Sequence, residues 1–158
     1  MKKIVAVSLV LASGAAFAQS SVTLYGIADM NIASRKSADT GERTTQVNSS
    51  GIYESRIGFK GSEDLGGGLK ANFQLEQGIA MNTGATNGFS RQSWVGLSGG
   101  FGEVQLGNSY AAYDDISGAA FTSFDSALSA EAFAFKSTGY TARPHNNFKY
   151  ISPSFGGF

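Results

Sequence analysis

The sequence predicts an all-β fold, part of an antiparallel transmembrane β-barrel, and three observations carry that prediction. Several segments alternate apolar and polar residues for about ten positions, the length of a tilted strand that crosses a bilayer. The connections between them alternate long and short, as in barrels with short turns at one rim and long loops at the other. The chain also opens with an export leader. Lys2 and Lys3 form its basic end, Ile4 to Leu11 an apolar stretch broken only by Ser8, and Ala16-Phe17-Ala18 an A-x-A cleavage motif. Cleavage is expected after Ala18, which sets residues 1–18 apart as a signal peptide and leaves 19–158 for the barrel. The apolar stretch is far shorter than the ~20 residues of a spanning helix.

The first alternating segment runs from Val22 to Ala33. Val22, Leu24, Gly26, Ala28, Met30 and Ile32 share one face, and Thr23, Tyr25, Ile27, Asp29, Asn31 and Ala33 the other. Arg35 to Ser50 is rich in Ser, Thr and Asn and reads as a loop. Ile52 to Gly61 alternates again, with Glu54, Arg56, Gly58 and Lys60 on the polar side. Glu63 to Gly68 makes a tight turn, and Leu69 to Ala80 carries the cleanest alternation, so the two segments form a hairpin. Met81 to Gly88 reads as a second polar loop. Phe89 to Ser98 is a strand whose faces are blurred by Trp94, Val95 and Leu97, as in a strand packed on both sides at a subunit contact. A glycine turn at 99–102 leads into a strand from Glu103 to Asn108. A long connection follows, about 109–145, with short helical turns predicted at Ser126 to Phe135. Strand character resumes from Asn146 to Ser152, and Pro153 to Phe158 reads as another turn.

The two faces of these segments call for two environments. Unpaired backbone groups are not tolerated in hydrocarbon, so only helices and closed barrels span it. No apolar run after the leader is long enough for a helix. A face as polar as Lys70, Asn72, Gln74 and Glu76 needs water, which a wide barrel supplies in its lumen. A soluble β-sandwich would not sort its loops by length. The 12 basic and 12 acidic residues balance, which argues against nucleic acid as a partner. With no Cys, disulfides are excluded from an exported chain that would otherwise use them.

No enzyme constellation emerges. His145 is the single histidine, so neither a Cys-His pair nor a multi-histidine metal site can be assembled, and no cofactor or metal is expected. Gly96-Leu97-Ser98-Gly99-Gly100 fits the G-x-S-x-G pattern, but that motif needs a helix after the serine, and here a glycine turn and a strand follow.

Five segments resemble the general porins of Gram-negative bacteria, most closely the β-proteobacterial kind. They are Gln19 to Gly26, Ser55 to Ala71, Arg91 to Leu97, Phe101 to Gly107 and Tyr150 to Phe158. The resemblance implies a 16-stranded barrel, a homotrimer in the outer membrane, and a third external loop folded inward to narrow the pore. This chain would supply about six N-terminal strands, with the inward loop at about 109–145. The expected function is passive diffusion of small hydrophilic solutes and ions, with outer-membrane lipids around the wall. The alternative is a small complete outer-membrane barrel acting as an adhesin or membrane enzyme.

A diffusion channel needs fixed charges at its constriction. The resemblance places Arg56, Arg91 and Arg143 among the basic wall residues there, with Glu76 as a partner on the wall. Arginine keeps its charge at every relevant pH, which suits a permanent filter. Asp114, Asp115, Asp125 and Glu131 on the long connection are the candidate acidic partners facing them. Three arginines lean the expected preference towards anions.

Overall fold

The computed structural model describes residues 21–121, 139 and 141–156. The export leader, Asp125, Glu131 and the helical turns expected at Ser126 to Phe135 lie outside these residues.

Six strands form one antiparallel sheet in the order β1-β4-β5-β7-β8-β9. They are β1 (Ser21–Ile27), β4 (Arg56–Gly66), β5 (Leu69–Ala80), β7 (Gln92–Gly99), β8 (Gly102–Asn108) and β9 (Asn147–Ile151). Two further strands, β2 (Met30–Lys36) and β3 (Arg43–Ser49), form a separate hairpin, and the short β6 (Ala85–Thr86) folds back on β5. One helix, α1 (Ala112–Phe121), opens the long connection, with Asp114 and Asp115 in its first turn, where carboxylates suit the helix dipole.

The strands follow from the period-two pattern, and the register shows what the pattern is for. One set of cross-strand neighbours is Leu24, Phe59, Leu75 and Ser93; another is Gly61, Phe73, Val95, Leu106 and Phe148. The opposite face carries the rows Tyr25-Gly58-Glu76-Gln92 and Ser62-Asn72-Gly96-Gln105-Lys149. Burial is inverted relative to a water-soluble domain. Val22 is 65% exposed and Phe148 68%, whereas Glu76 is 4% and Arg91 7% exposed. No hydrophobic residue is buried among the described residues. An apolar face turned outward and a polar face turned inward is the arrangement of a barrel wall between lipid and water.

The connections sort to the two ends of the sheet. Gly66 pairs with Leu69, leaving Gly67-Gly68 as a two-residue turn. Both glycines have positive φ (62° and 81°), as the tight hairpin turn that matches strand twist requires. Gly99 pairs with Gly102 around Gly100-Phe101 at the same end. The β2–β3 hairpin, residues 81–91 and the two described ends of the long connection, 109–121 and 141–146, all lie at the other end.

Several boundaries differ from the sequence reading. The single strand expected over Val22 to Ala33 breaks at Ala28-Asp29. The break has a specific cause. The Asp29 carboxylate accepts the backbone N–H groups of Gly51 (3.0 Å), Ile52 (2.9 Å) and Tyr53 (2.7 Å). Its carbonyl accepts from Ser50 N (2.8 Å) and Ser55 Oγ (2.9 Å). The same hydrogen bonds remove 52–55 from the strand expected at Ile52 to Gly61, so β4 starts at Arg56. The loop expected over Arg35 to Ser50 contains β3, which Thr44, Thr45 and Val47 favour as β-branched residues. The loop at Met81 to Gly88 contains β6. The strand expected at Phe89 to Ser98 begins at Gln92, and its faces are regular: Gln92, Trp94, Gly96 and Ser98 point inward, Ser93, Val95 and Leu97 outward. Trp94 blurred the pattern because it is an aromatic on the polar face, where its Nε1 donates to Gln92 Oε1 at 3.0 Å. The helix α1 precedes the segment where helical turns were expected.

Candidate functional site

At the end of the wall opposite the glycine turns, the polar face gathers arginines that are far apart in sequence. Arg56 lies at the start of β4, Arg91 just before β7, and Arg143 at the end of the long connection. Glu76, central on β5, joins two of them. Its Oε1 accepts from Arg91 Nε at 2.7 Å, and its Oε2 lies 3.8 Å from Arg56 Nε. Glu54 joins the second pair: Arg91 Nη1 donates to its Oε2, which also lies 4.0 Å from Arg143 Nη2. Tyr110 completes the cluster. Its hydroxyl accepts from Arg143 Nη2 (2.9 Å) and Arg91 Nη2 (3.4 Å), and the Arg143 guanidinium stands 4.6 Å from the centre of its ring.

The register explains how Glu76 is held. Tyr25, Gly58 and Glu76 are successive neighbours across β1, β4 and β5. A Cβ at position 58 would come within 2.5 Å of the Tyr25 ring, so only glycine lets the ring cross β4. The Tyr25 hydroxyl then donates to Glu76 Oε2 at 2.8 Å and accepts from Gln74 Nε2 at 2.6 Å. Glu76 thereby receives hydrogen bonds on both oxygens while buried, which offsets the cost of taking a polar group out of water. Among the described residues, the two carboxylates of Glu54 and Glu76 link the three guanidiniums into one network. A pocket of about 630 Å³ opens beside it, lined by Asn48, Glu54, Asn87, Ser90, Arg91 and Arg143 among others.

The structure thus brings together Arg56, Arg91, Arg143 and Glu76. It does not place Asp115 with the arginines: Asp115 Oδ2 pairs with Lys149 Nζ at 2.7 Å on β9, a neighbour that only the fold supplies. Asp114 lies on the first turn of α1. Lys149 Nζ also donates to the Tyr110 carbonyl (3.2 Å), and Ala111 N to the Ala142 carbonyl (2.9 Å), so the two ends of the long connection are tied together. The sequence reading places Tyr25, Glu54 and Gln74 on strand faces but not among the constriction residues, and it does not single out Tyr110. Glu54 and Gln74 were legible in principle, each two residues from a charged candidate on the same face. Tyr110 was not, because its partners lie across the fold.

A family profile described as Gram-negative porin matches residues 5–158. The chain belongs to the Gram-negative porin family. Its relatives include outer membrane porin protein 32 of Delftia acidovorans, 42% identical over 171 residues and covering 99% of this chain and 47% of that one. Major outer membrane protein P.IB of Neisseria gonorrhoeae is 35% identical over 158 residues, covering 96% of this chain and 45% of that one. The chain therefore spans about half the length of the curated relatives it matches. Among solved structures, an anion-selective porin from Comamonas acidovorans aligns with a TM-score of 0.55 and 46% identity, over 61% of this chain and 30% of that one. The porin relatives place the chain in the outer membrane, and porins are channels rather than enzymes. The inverted burial of the wall is what that location demands.

Proposed function

We propose that the chain forms the first part of the wall of an outer-membrane diffusion channel that passes small hydrophilic solutes and ions and prefers anions. The observation that carries this reading is the convergence of Arg56, Arg91 and Arg143 on the polar face. In a narrow passage with low-dielectric walls, fixed guanidiniums raise the local concentration of anions and repel cations. Glu54 and Glu76 act as clamps that fix the guanidiniums in place, which a permanent filter needs as much as charge. The long connection at about 109–145, tied at its base through Tyr110, Ala111 and Lys149, folds inward to narrow the pore. The full-length product completes a barrel of 16 strands and assembles as a homotrimer.

Reconstitution of the full-length product in planar bilayers tests this reading. Steady conductance steps are expected, with a reversal potential in a salt gradient that reports anion preference. The triple variant Arg56→Gln, Arg91→Gln, Arg143→Gln should conduct but lose most of that preference. A protein that never conducts, or a variant with unchanged selectivity, overturns the proposal. Native electrophoresis showing only a monomer would remove the homotrimer.

A further inference from the structure

Two residues on the inner face of β9 grip the segment that leaves β8. Asn147 and Lys149 stand in register with Gly107 and Gln105. Asn147 Nδ2 donates to Ser109 Oγ at 3.1 Å. Lys149 Nζ donates to the Tyr110 carbonyl at 3.2 Å and to Asp115 Oδ2 at 2.7 Å. Both grips are withdrawn from water: Ser109 is 2% and Lys149 9% exposed. An ammonium this deep in the wall needs a carboxylate and further acceptors to offset its lost hydration. Asp115, on the first turn of α1, and the Tyr110 carbonyl supply them. The backbone of Tyr110 is thereby pinned from a strand 39 residues further along the chain.

The side chain of Tyr110 carries that constraint to the arginines, and two of them depend on it unequally. Arg91 is also bound by Glu76, at 2.7 Å, and by Glu54. Arg143 has less else to hold it. Its one carboxylate partner among the described residues, Glu54, lies 4.0 Å away, whereas the Tyr110 hydroxyl accepts from its Nη2 at 2.9 Å and the ring faces the guanidinium. The backbone repeats the link: the amide of Ala111, next to Tyr110, donates to the carbonyl of Ala142, next to Arg143, at 2.9 Å. A shift of Tyr110 would therefore move Arg143 first and leave Arg91 close to its place.

We propose that Lys149 is a positioning residue for the charge filter: acting through Tyr110, it fixes where the Arg143 guanidinium stands. Asp115 is its companion, because it neutralises Lys149 and seats α1 against the wall. Lys149 thus contributes to ion preference by geometry, its own charge being matched by a carboxylate, while Arg143 contributes by charge. The inference rests on the channel reading, since the place of Arg143 matters to selectivity only where ions pass.

The test compares full-length channels in planar bilayers by their reversal potential in a salt gradient. Lys149→Met/Asp115→Asn removes the brace without changing the net charge, so a change in selectivity reports geometry and not charge count. It should lower the anion-to-cation permeability ratio about twofold, the low end of coupling between residues of one network. In an Arg143→Gln background the same pair of substitutions should add nothing. Tyr110→Phe, which keeps the ring and loses the hydroxyl, should shift the ratio in the same direction, and it decides the matter if the double variant does not fold. Unchanged selectivity in either variant, or a loss that persists in the Arg143→Gln background, would overturn the proposal. Amide exchange at Ala111, followed on the folded protein in detergent, should accelerate in the double variant, and equal protection there would also overturn it. That measurement needs no conduction, so a parent that never conducts removes the channel reading, whereas an unmoved Ala111 amide removes the brace.

Discussion

The two faces of the six-stranded wall keep opposite accounts with their surroundings. The outer face exposes Val22, Leu24, Val95, Leu106 and Phe148 and has no partner layer within the described residues. The inner face buries Glu76, Arg91, Gln105 and Lys149. A soluble protein gains most from hydrophobic burial. Here the apolar side chains are satisfied by lipid, so the fold's internal cohesion comes from backbone ladders and from hydrogen-bonded ionic contacts on the inner face. Substitutions on the two faces should therefore fail in different ways.

The largest effect is expected at Glu76. Glu76→Ala leaves Arg91 buried without its buried carboxylate partner and removes the acceptor of Tyr25. Breaking a buried pair by deleting one partner costs about 3 kcal/mol or more. Urea-induced unfolding of the full-length protein in lipid should show that loss; a change near zero would mean the inner face is wetter and looser than its burial implies.

A charge on the outer face comes next. Val95→Arg should destabilise by roughly 2–4 kcal/mol near the bilayer midplane. Gln74→Arg, on the neighbouring strand but facing inward, should cost much less and instead shift ion selectivity. If the two variants unfold at the same urea concentration, the assignment of faces is wrong.

A smaller effect is expected at Tyr25. Tyr25→Phe keeps the ring over Gly58 but removes the bond to Glu76, costing about 1 kcal/mol by the same unfolding assay. Conductance should survive, with selectivity moved less than by any arginine variant.

The smallest effect concerns the rim. Hydrogen bonds from the backbone of Tyr53, then Ile52 and Gly51, hold the Asp29 carboxyl below its ordinary pKa. A depressed folded-state pKa means the contribution is fully present above the ordinary carboxylate range and is lost as pH falls through the depressed value. Amide protection at residues 51–53, relative to the intrinsic exchange rate at each pH, should therefore stay high at neutral pH and fall only in acid, as Asp29 becomes protonated. Asp29→Asn should show the lower protection already at neutral pH. Protection at 51–53 that is unchanged in that variant would mean the hairpin is fastened by other contacts.

The strands of the wall, their two faces and the length sorting of the connections were readable from residues alone. Leu69 to Ala80 is the clearest example, found as β5 with the same ends. A strand that separates lipid from water must alternate, so its environment is written locally in its side chains. Arg56 and Arg91 were legible because each sits in a segment that resembles the porins, whereas Arg143 lies outside those five segments. The β3 strand was not, because both faces of the hairpin tip are polar and polar alternation has no contrast to detect. Partnership was beyond the sequence altogether. That Asp29 would leave its strand to bind residues 51–53, that Asp115 would choose Lys149 over an arginine, and that Tyr25 would reach Glu76 across a glycine were decided by tertiary structure. Alternation fixes which way a side chain points, but strand register and the paths of the connections fix which group it meets.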